Sequence, residues 1–370
     1  MDDPMYLQSL SLINFKSYRQ ADFKFSSKLN CFVGNNGVGK TNLLDAIYYL
    51  SLTKSYFNSI DTQNIHYDAE MFMIQGTFEN DHKPDTITCS VRRTKKKKFS
   101  RNKKDYTRLS EHVGRYPVVM ISPADASLVL SGSEERRKFM DAVISQYDKK
   151  YLDDLIHYNR ALSQRNKLLK DFHKEGRFNE SSLALWDEQL IIPGERIHAK
   201  RVEFIKDLIP KFQKYYDIIS EKKETVGLTY ESQLHGRDYR EQLLAHREKD
   251  RILQYSTFGI HKDDLDLILG DHSMKKVGSQ GQQKTYLVSL KFAKSDFIRE
   301  ITGRKPILLL DDIFDKFDAR RVSQIIRIIS ESEFGQIFVT DTHQTRLDDI
   351  LSRMNTDYKV FRINEKVSEL

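Results

Sequence analysis

The stretch Gly34-Asn35-Asn36-Gly37-Val38-Gly39-Lys40-Thr41 constrains the fold of this chain more than any other. It has the form Gly, four residues, Gly-Lys-Thr. The apolar run Cys31-Phe32-Val33 precedes it and the helical pattern Asn42-Leu43-Leu44-Asp45-Ala46-Ile47 follows. Glycines at 34, 37 and 39 let the backbone take positive φ and turn its N–H groups towards phosphate oxygens, beside a helix N-terminus that adds partial positive charge. Between a strand and a helix this spacing reads as a phosphate-binding loop. Lys40 would reach the β- and γ-phosphates and the Thr41 hydroxyl would ligate Mg²⁺. A glycine-rich turn that binds nothing is the competing reading, and both flanks weigh against it.

A phosphate loop needs a carboxylate partner, and Lys305-Pro306-Ile307-Leu308-Leu309-Leu310-Asp311-Asp312 supplies one. A buried parallel strand is a continuous apolar run, so both acids emerge at its C-terminal end, where ligands of α/β sheets bind. Asp311 is placed to hold Mg²⁺, directly or through water, and Asp312 to orient or deprotonate an attacking water. Between the two motifs, Ser279-Gln280-Gly281-Gln282-Gln283 opens a helix through Leu287, Leu290, Phe292 and Ala293. Ser279 with Gly281 ahead of a helix N-terminus predicts a second anion site. His343 follows the strand Ile337-Phe338-Val339-Thr340. Two roles are open to it, contact with a γ-phosphate and the capping of a helix.

A chain of 370 residues is long enough for two or three domains with their own cores. The pattern from Tyr6 to Phe32, two strands around a turn with alternation through Ala21–Phe25, predicts an antiparallel hairpin turning at Lys16-Ser17-Tyr18-Arg19, after an unstructured extension at residues 1–4. From Ser131 to about residue 245 apolar residues recur at helical spacing. Glu175-Gly176-Arg177 breaks the run into two arms, and Pro193-Gly194 is predicted to kink or interrupt the second. Strand character returns beyond Thr257. The reading is an α/β domain made of residues 1–128 and 251–370, with a mainly helical lobe, 129–250, inserted.

The formal charge is +7, but Arg92, Arg93, Lys95, Lys96, Lys97, Lys98, Arg101, Lys103 and Lys104 fall within thirteen residues that hold no acid, and elsewhere 51 basic residues face 53 acidic ones. The basic excess is one local feature. It is either a solvated hairpin whose lysines block edge-to-edge association or a surface for nucleic-acid phosphates. Cys31 and Cys89 sit in apolar runs and read as buried small hydrophobes. With no basic head before an apolar run at the N-terminus, and no apolar stretch near the ~18 residues of a membrane helix, the chain reads as soluble and cytoplasmic.

The order of phosphate loop, Ser-x-Gly-Gln helix start and apolar strand with Asp-Asp resembles an ABC-type ATPase head. Within that class the chain is similar to the RecF family, related to the heads of SMC proteins. The residues that carry this likeness are Leu12-Ile13-Asn14-Phe15-Lys16-Ser17-Tyr18, Thr53-Lys54-Ser55-Tyr56, Ser122-Pro123-Ala124-Asp125, Gly132-Ser133-Glu134-Glu135-Arg136-Arg137-Lys138-Phe139-Met140-Asp141 and Gly259-Ile260-His261-Lys262-Asp263-Asp264. Ile260 stands where the family has a proline and Lys262 where it has an arginine; Phe314-Asp315-Lys316-Phe317-Asp318 also departs from the family's wording.

The resemblance implies a weak, Mg²⁺-dependent ATPase whose complete site needs a homodimer, Ser279, Gly281 and Gln282 of one copy meeting ATP held by another. Lys16 and residues 34 to 42 (Gly34, Asn35, Asn36, Gly37, Val38, Gly39, Lys40, Thr41, Asn42) would contact the nucleotide, with Lys40, Asp312 and His343 catalytic. It implies single- and double-stranded DNA, gapped or junction DNA preferred, as ligand, RecR and RecO as partners, and a role in replication, gap repair and the SOS response. The alternative is a head of the overcoming-lysogenization-defect type acting on protein partners, with the basic run serving solubility.

Overall fold

The computed structural model describes residues 5–80, 83–221, 224–315, 317–331, 334–342, 351–352, 357–364 and 367–369. The predicted extension at residues 1–4 and His343 lie outside them. In chain order the elements are β1 (Tyr6–Phe15), β2 (Tyr18–Lys24), β3 (Leu29–Val33), α1 (Lys40–Leu52), β4 (Met71–Asn80), β5 (Lys83–Arg92), β6 (Lys95–Arg101), β7 (Lys104–Asp105) and β8 (Val118–Ile121). Then come α2 (Ala126–Leu130), α3 (Ser133–Tyr147), α4 (Lys149–Glu175), α5 (Glu180–Ser220), β9 (Val226–Glu231), α6 (Tyr239–Leu253), β10 (Asp264–Leu269), β11 (His272–Ser273) and α7 (Met274–Val277). The chain closes with α8 (Gln280–Thr302), β12 (Ile307–Asp311), α9 (Ala319–Glu331), β13 (Ile337–Asp341), β14 (Tyr358–Ile363) and β15 (Val367–Glu369).

Two compact units result, one of residues 1–126, 214–223 and 280–370, the other of 127–213 and 224–279. The inserted unit therefore runs to Ser279 rather than to about 250. The reason is strand pairing: β9 pairs antiparallel with β10 along its whole length, so the first strands beyond Thr257, β10 and β11, belong to the insertion.

The first unit holds two sheets. One is antiparallel, in the order β2-β1-β4-β5-β6-β7; the other, β15-β14-β3-β13-β12-β8, is parallel from β14 to β8. β3, β8, β12 and β13 are buried throughout, as their largely apolar sequences require. Phenylalanines fill the space between the sheets: Phe25 meets Phe338 edge-on at 5.0 Å and Phe32 stacks on Phe361 at 5.2 Å. The buried Gln336 amide accepts from the Leu7 N–H at 2.8 Å and donates to the Leu7 and Ser26 carbonyls. Both cysteines are buried and unbridged.

In the second unit α4 ends at Glu175, with Gly176 at φ 64 as its cap, the predicted break. The expected interruption at Pro193-Gly194 is absent: α5 runs through Pro193 and Pro210 for 41 residues. Packing outweighs the missing N–H, since Gly194 lies where a Cβ would fall 2.3 Å from the Tyr239 ring.

The interior of this unit is ionic. Arg201 donates to Asp141 (2.9 Å), Asp263 (2.8 Å) and the Ile260 carbonyl, and Arg165 to Asp187 and Asp250 at 2.6 Å each. Arg136 grips Asp264 through two bonds, so the segments 132–141 and 259–264 lock one another. Gly259 has φ 132, and a Cβ there would meet two tyrosine hydroxyls at 2.4 and 2.5 Å, so only glycine fits. Burial pushes His261 down to about 4. Its Nε2–H donates to the Ser256 carbonyl, leaving Nδ1 to accept from Tyr158.

Candidate functional site

The phosphate loop joins β3 to α1 at the C-terminal edge of the parallel sheet. Gly37 and Gly39 take φ 84 and 105, and a Cβ on Gly34 would fall 2.3 Å from the Ile363 carbonyl oxygen. Asn35, Asn36 and Gly37 form an exposed crown, while Val38 packs on the core. Beneath the crown the buried Lys40 ammonium donates to the Gly34 and Asn35 carbonyls at 2.7 and 3.0 Å. The β1–β2 turn braces the loop from one side. Tyr18 donates to the Gly39 carbonyl (3.1 Å), Asn42 donates to the Ser17 hydroxyl (2.9 Å), and a Cβ on Gly39 would collide with Ser17 at 2.7 Å.

β13 separates β3 from β12, and Thr340 on β13 pairs in register with Asp311. The Asp311 carboxylate thereby gathers three hydroxyls: Thr41 at 2.9 and 3.0 Å, Thr340 at 3.0 Å and Ser122 at 3.3 Å. Burial pushes the Asp311 carboxyl up, its hydroxyl partners pull it down, and the neighbouring Asp312 adds to the rise. Asp312 has φ 44, a left-handed conformation that aspartate tolerates better than most residues, and its N–H donates to Thr340 at 3.0 Å. Thr340 so fixes both acids. Thr41 and Asp311 are hard oxygen donors side by side, the set Mg²⁺ accepts when substrate phosphates and water complete its shell.

The Ser279-Gln280-Gly281-Gln282 segment opens α8 as the spacing predicts. Gly281 lies under Arg321, where a Cβ would stand 2.7 Å from the guanidinium. Lys284 donates to the Asp315 carbonyl and sits 4.7 Å over the Phe317 ring. Asp318 accepts from the Arg321 N–H at 2.9 Å at the start of α9.

Lys16, expected to contact the nucleotide, is engaged within the protein. Its ammonium is paired at 2.6 Å with the fully buried Asp45, which also accepts from Ser55 and the Tyr56 N–H. A nearly buried lysine beside a buried carboxylate is held inward by that charge, so Lys16 anchors α1 to the β1–β2 turn.

The basic run forms β6 with its flanking turns. Strand alternation divides it: Lys97 and Arg101 share the inward face with buried Phe99. Lys97 pairs with Asp61 at 2.8 Å and donates to the Thr53 carbonyl, and Arg101 pairs with Asp85 at 2.9 Å. That bond holds Arg101 up; burial pushes the Asp85 carboxyl up, but the bonds it accepts from Arg101, Tyr116 and Asn102 outweigh this and hold it down. Arg93 donates to the Ala69 carbonyl. Arg92, Lys95, Lys96, Lys98, Lys103 and Lys104 are exposed.

The sequence does not by itself mark Ser17, Tyr18, Ser122 and Thr340 as supporting residues. The first three lie inside segments that carried the family resemblance, a signal that could have found them; a lone threonine ending a strand carries none.

A parallel sheet with a loop, a Thr–Asp pair and a Ser-x-Gly-Gln helix defines an ABC-type ATPase head. A Smc head domain derived from Pyrococcus furiosus shares the fold, with TM-score 0.57 at 19% identity over 99% of this chain and 96% of that one. The RecF/RecN/SMC N terminal domain family matches residues 6–369. The DNA replication and repair protein RecF of Phocaeicola vulgatus is 51% identical over 363 residues, 98% of this chain and 97% of that protein. A solved structure of the recombination mediator protein RecF-ATP in RecFOR pathway superposes with TM-score 0.89 at 28% identity, over 100% of this chain and 99% of that one. The chain belongs to the RecF family.

Proposed function

We propose that this protein is an ATP-gated DNA-binding protein of replication and recombinational gap repair, working in the cytoplasm with RecR and RecO and in the SOS response. The observation that carries the nucleotide reading is the 2.9 Å contact between Thr41 and Asp311 beside a loop whose lysine lies under an exposed crown of backbone. ATP would lie with its phosphates along that crown, where Lys40 neutralises charge on the β- and γ-groups. Thr41 and Asp311 would hold Mg²⁺, which when bound offsets phosphate charge. Asp312 orients or deprotonates the water that attacks the γ-phosphorus. Ser279 and Gly281 at the α8 start present N–H groups and a hydroxyl to the γ-phosphate of a second copy, so ATP holds the dimer and slow hydrolysis releases it.

DNA, single- or double-stranded and preferably gapped or branched, would meet the exposed face of the basic hairpin through its phosphates. Affinity then falls with salt, with a log–log slope of about −0.9 for each duplex phosphate neutralised. Replacing Lys96 and Lys98 by alanine is expected to weaken binding to duplexes of any sequence alike and to reduce the slope by about 1 to 2. Lys97→Ala is expected to leave the slope unchanged and to lower stability by about 1–3 kcal/mol, because Asp61 loses its cation. Anisotropy titrations across a salt series and denaturant melts check both. An unchanged slope for the double variant would remove the hairpin from the DNA contact.

A further inference from the structure

Tyr67 is 80% exposed, the most exposed large hydrophobic side chain among the described residues. Its ring is nevertheless held. It stacks on the buried His66 imidazole at 4.4 Å and 27°, and that imidazole is fixed in turn. The His66 N–H donates to the Asn14 carbonyl at 2.8 Å, its Nδ1 accepts from the Asp68 N–H, and its carbonyl closes a turn with the Ala69 N–H. The imidazole lies against one side of the ring, which is otherwise open to solvent.

The surroundings are basic. The Arg93 N–H donates to the Glu70 carbonyl and its guanidinium to that of Ala69. Met71 pairs with Arg92, and Arg92 with Lys95, so the basic turn 92–95 borders the tyrosine loop. On the other side Arg19, 68% exposed, holds Asp68 at 2.6 Å. The acids of the loop thus have arginine partners, Glu70 facing Arg93 at 3.9 Å, and Arg92 and Lys95 make no ion pair among the described residues. A preorganised aromatic face beside surplus cations is what an unpaired nucleobase and its phosphate require.

We infer that Tyr67 is a stacking platform for an unpaired base, so that the hairpin surface distinguishes single-stranded DNA from duplex, whose bases are stacked and out of reach. The inference rests on the DNA-binding reading of the hairpin and assigns to it a residue that selects between the two DNA forms. Stacking acts on the π-face of any base, so sequence preference stays small, and no new charge is neutralised, so the salt slope is that of the basic residues alone.

The test is anisotropy with a labelled deoxythymidine oligomer and a duplex of equal length at fixed salt. Tyr67→Ala, at a site exposed enough to spare the fold, is expected to weaken binding of the oligomer by roughly fivefold to a hundredfold and of the duplex by less than about twofold. Tyr67→Phe keeps the ring and is expected to bind as the native protein does. An abasic oligomer should bind native protein and Tyr67→Ala equally. The Lys96→Ala, Lys98→Ala variant separates the two layers. If it weakens both DNAs while Tyr67→Ala leaves their affinity ratio unchanged, the platform fails and the hairpin reading stands. If that variant binds both DNAs as the native protein does, the hairpin reading fails.

Discussion

Lys40→Ala is expected to lower ATP turnover by roughly a hundredfold to a thousandfold, the usual loss when one preorganised electrostatic donor is removed from a phosphoryl-transfer site. Lys40 is buried, but among the described residues its ammonium bonds only the Gly34 and Asn35 carbonyls of the loop itself. Asn35 lies in the exposed crown, where water can replace the lost donor. The fold is therefore retained and the loss falls on the nucleotide. Steady-state hydrolysis and a nucleotide-binding titration measure it. Turnover that survived in the variant would place the chemistry elsewhere.

Asp312→Asn is expected to cut turnover by about a hundredfold to ten-thousandfold, the range of a lost general base, while ATP affinity changes little. Asparagine, like aspartate, tolerates the left-handed backbone seen at φ 44. The Thr340 hydroxyl still receives the residue's N–H, so the substitution removes charge and keeps the backbone in place. The variant should consequently accumulate in its ATP-bound form. A rise in the ATP dissociation constant that matched the fall in turnover would make Asp312 a binding residue instead.

Much of the site was legible because its chemistry imposes residue types at fixed spacing. Three glycines, a lysine and a threonine in eight residues, and an apolar strand closed by two acids, have few other uses. What the sequence concealed is pairing across distance. Nothing near Thr340 announces that β13 inserts between β3 and β12 and so delivers a hydroxyl to Asp311. The charge run showed nine basic residues without showing that strand alternation turns Lys97 and Arg101 onto buried acids. Lys16 sits in a segment that signals the family, yet its direction depends on Asp45, one helix away. The length of α5 through Pro193 and the extent of the insertion to Ser279 were hidden for the same reason: tertiary packing and strand pairing outweighed local propensity.

The central claim is that ATP joins two copies through the loop of one and the Ser279 segment of the other. Sedimentation velocity of the purified protein with and without ATP tests it, alongside Ser279→Arg, which places a bulky cation at the start of α8. The native protein is expected to be a monomer that becomes a dimer with ATP, and the Ser279→Arg protein to bind ATP yet stay monomeric. A native protein that remains monomeric with ATP, or a Ser279→Arg variant that dimerises as readily as the native chain, would contradict it.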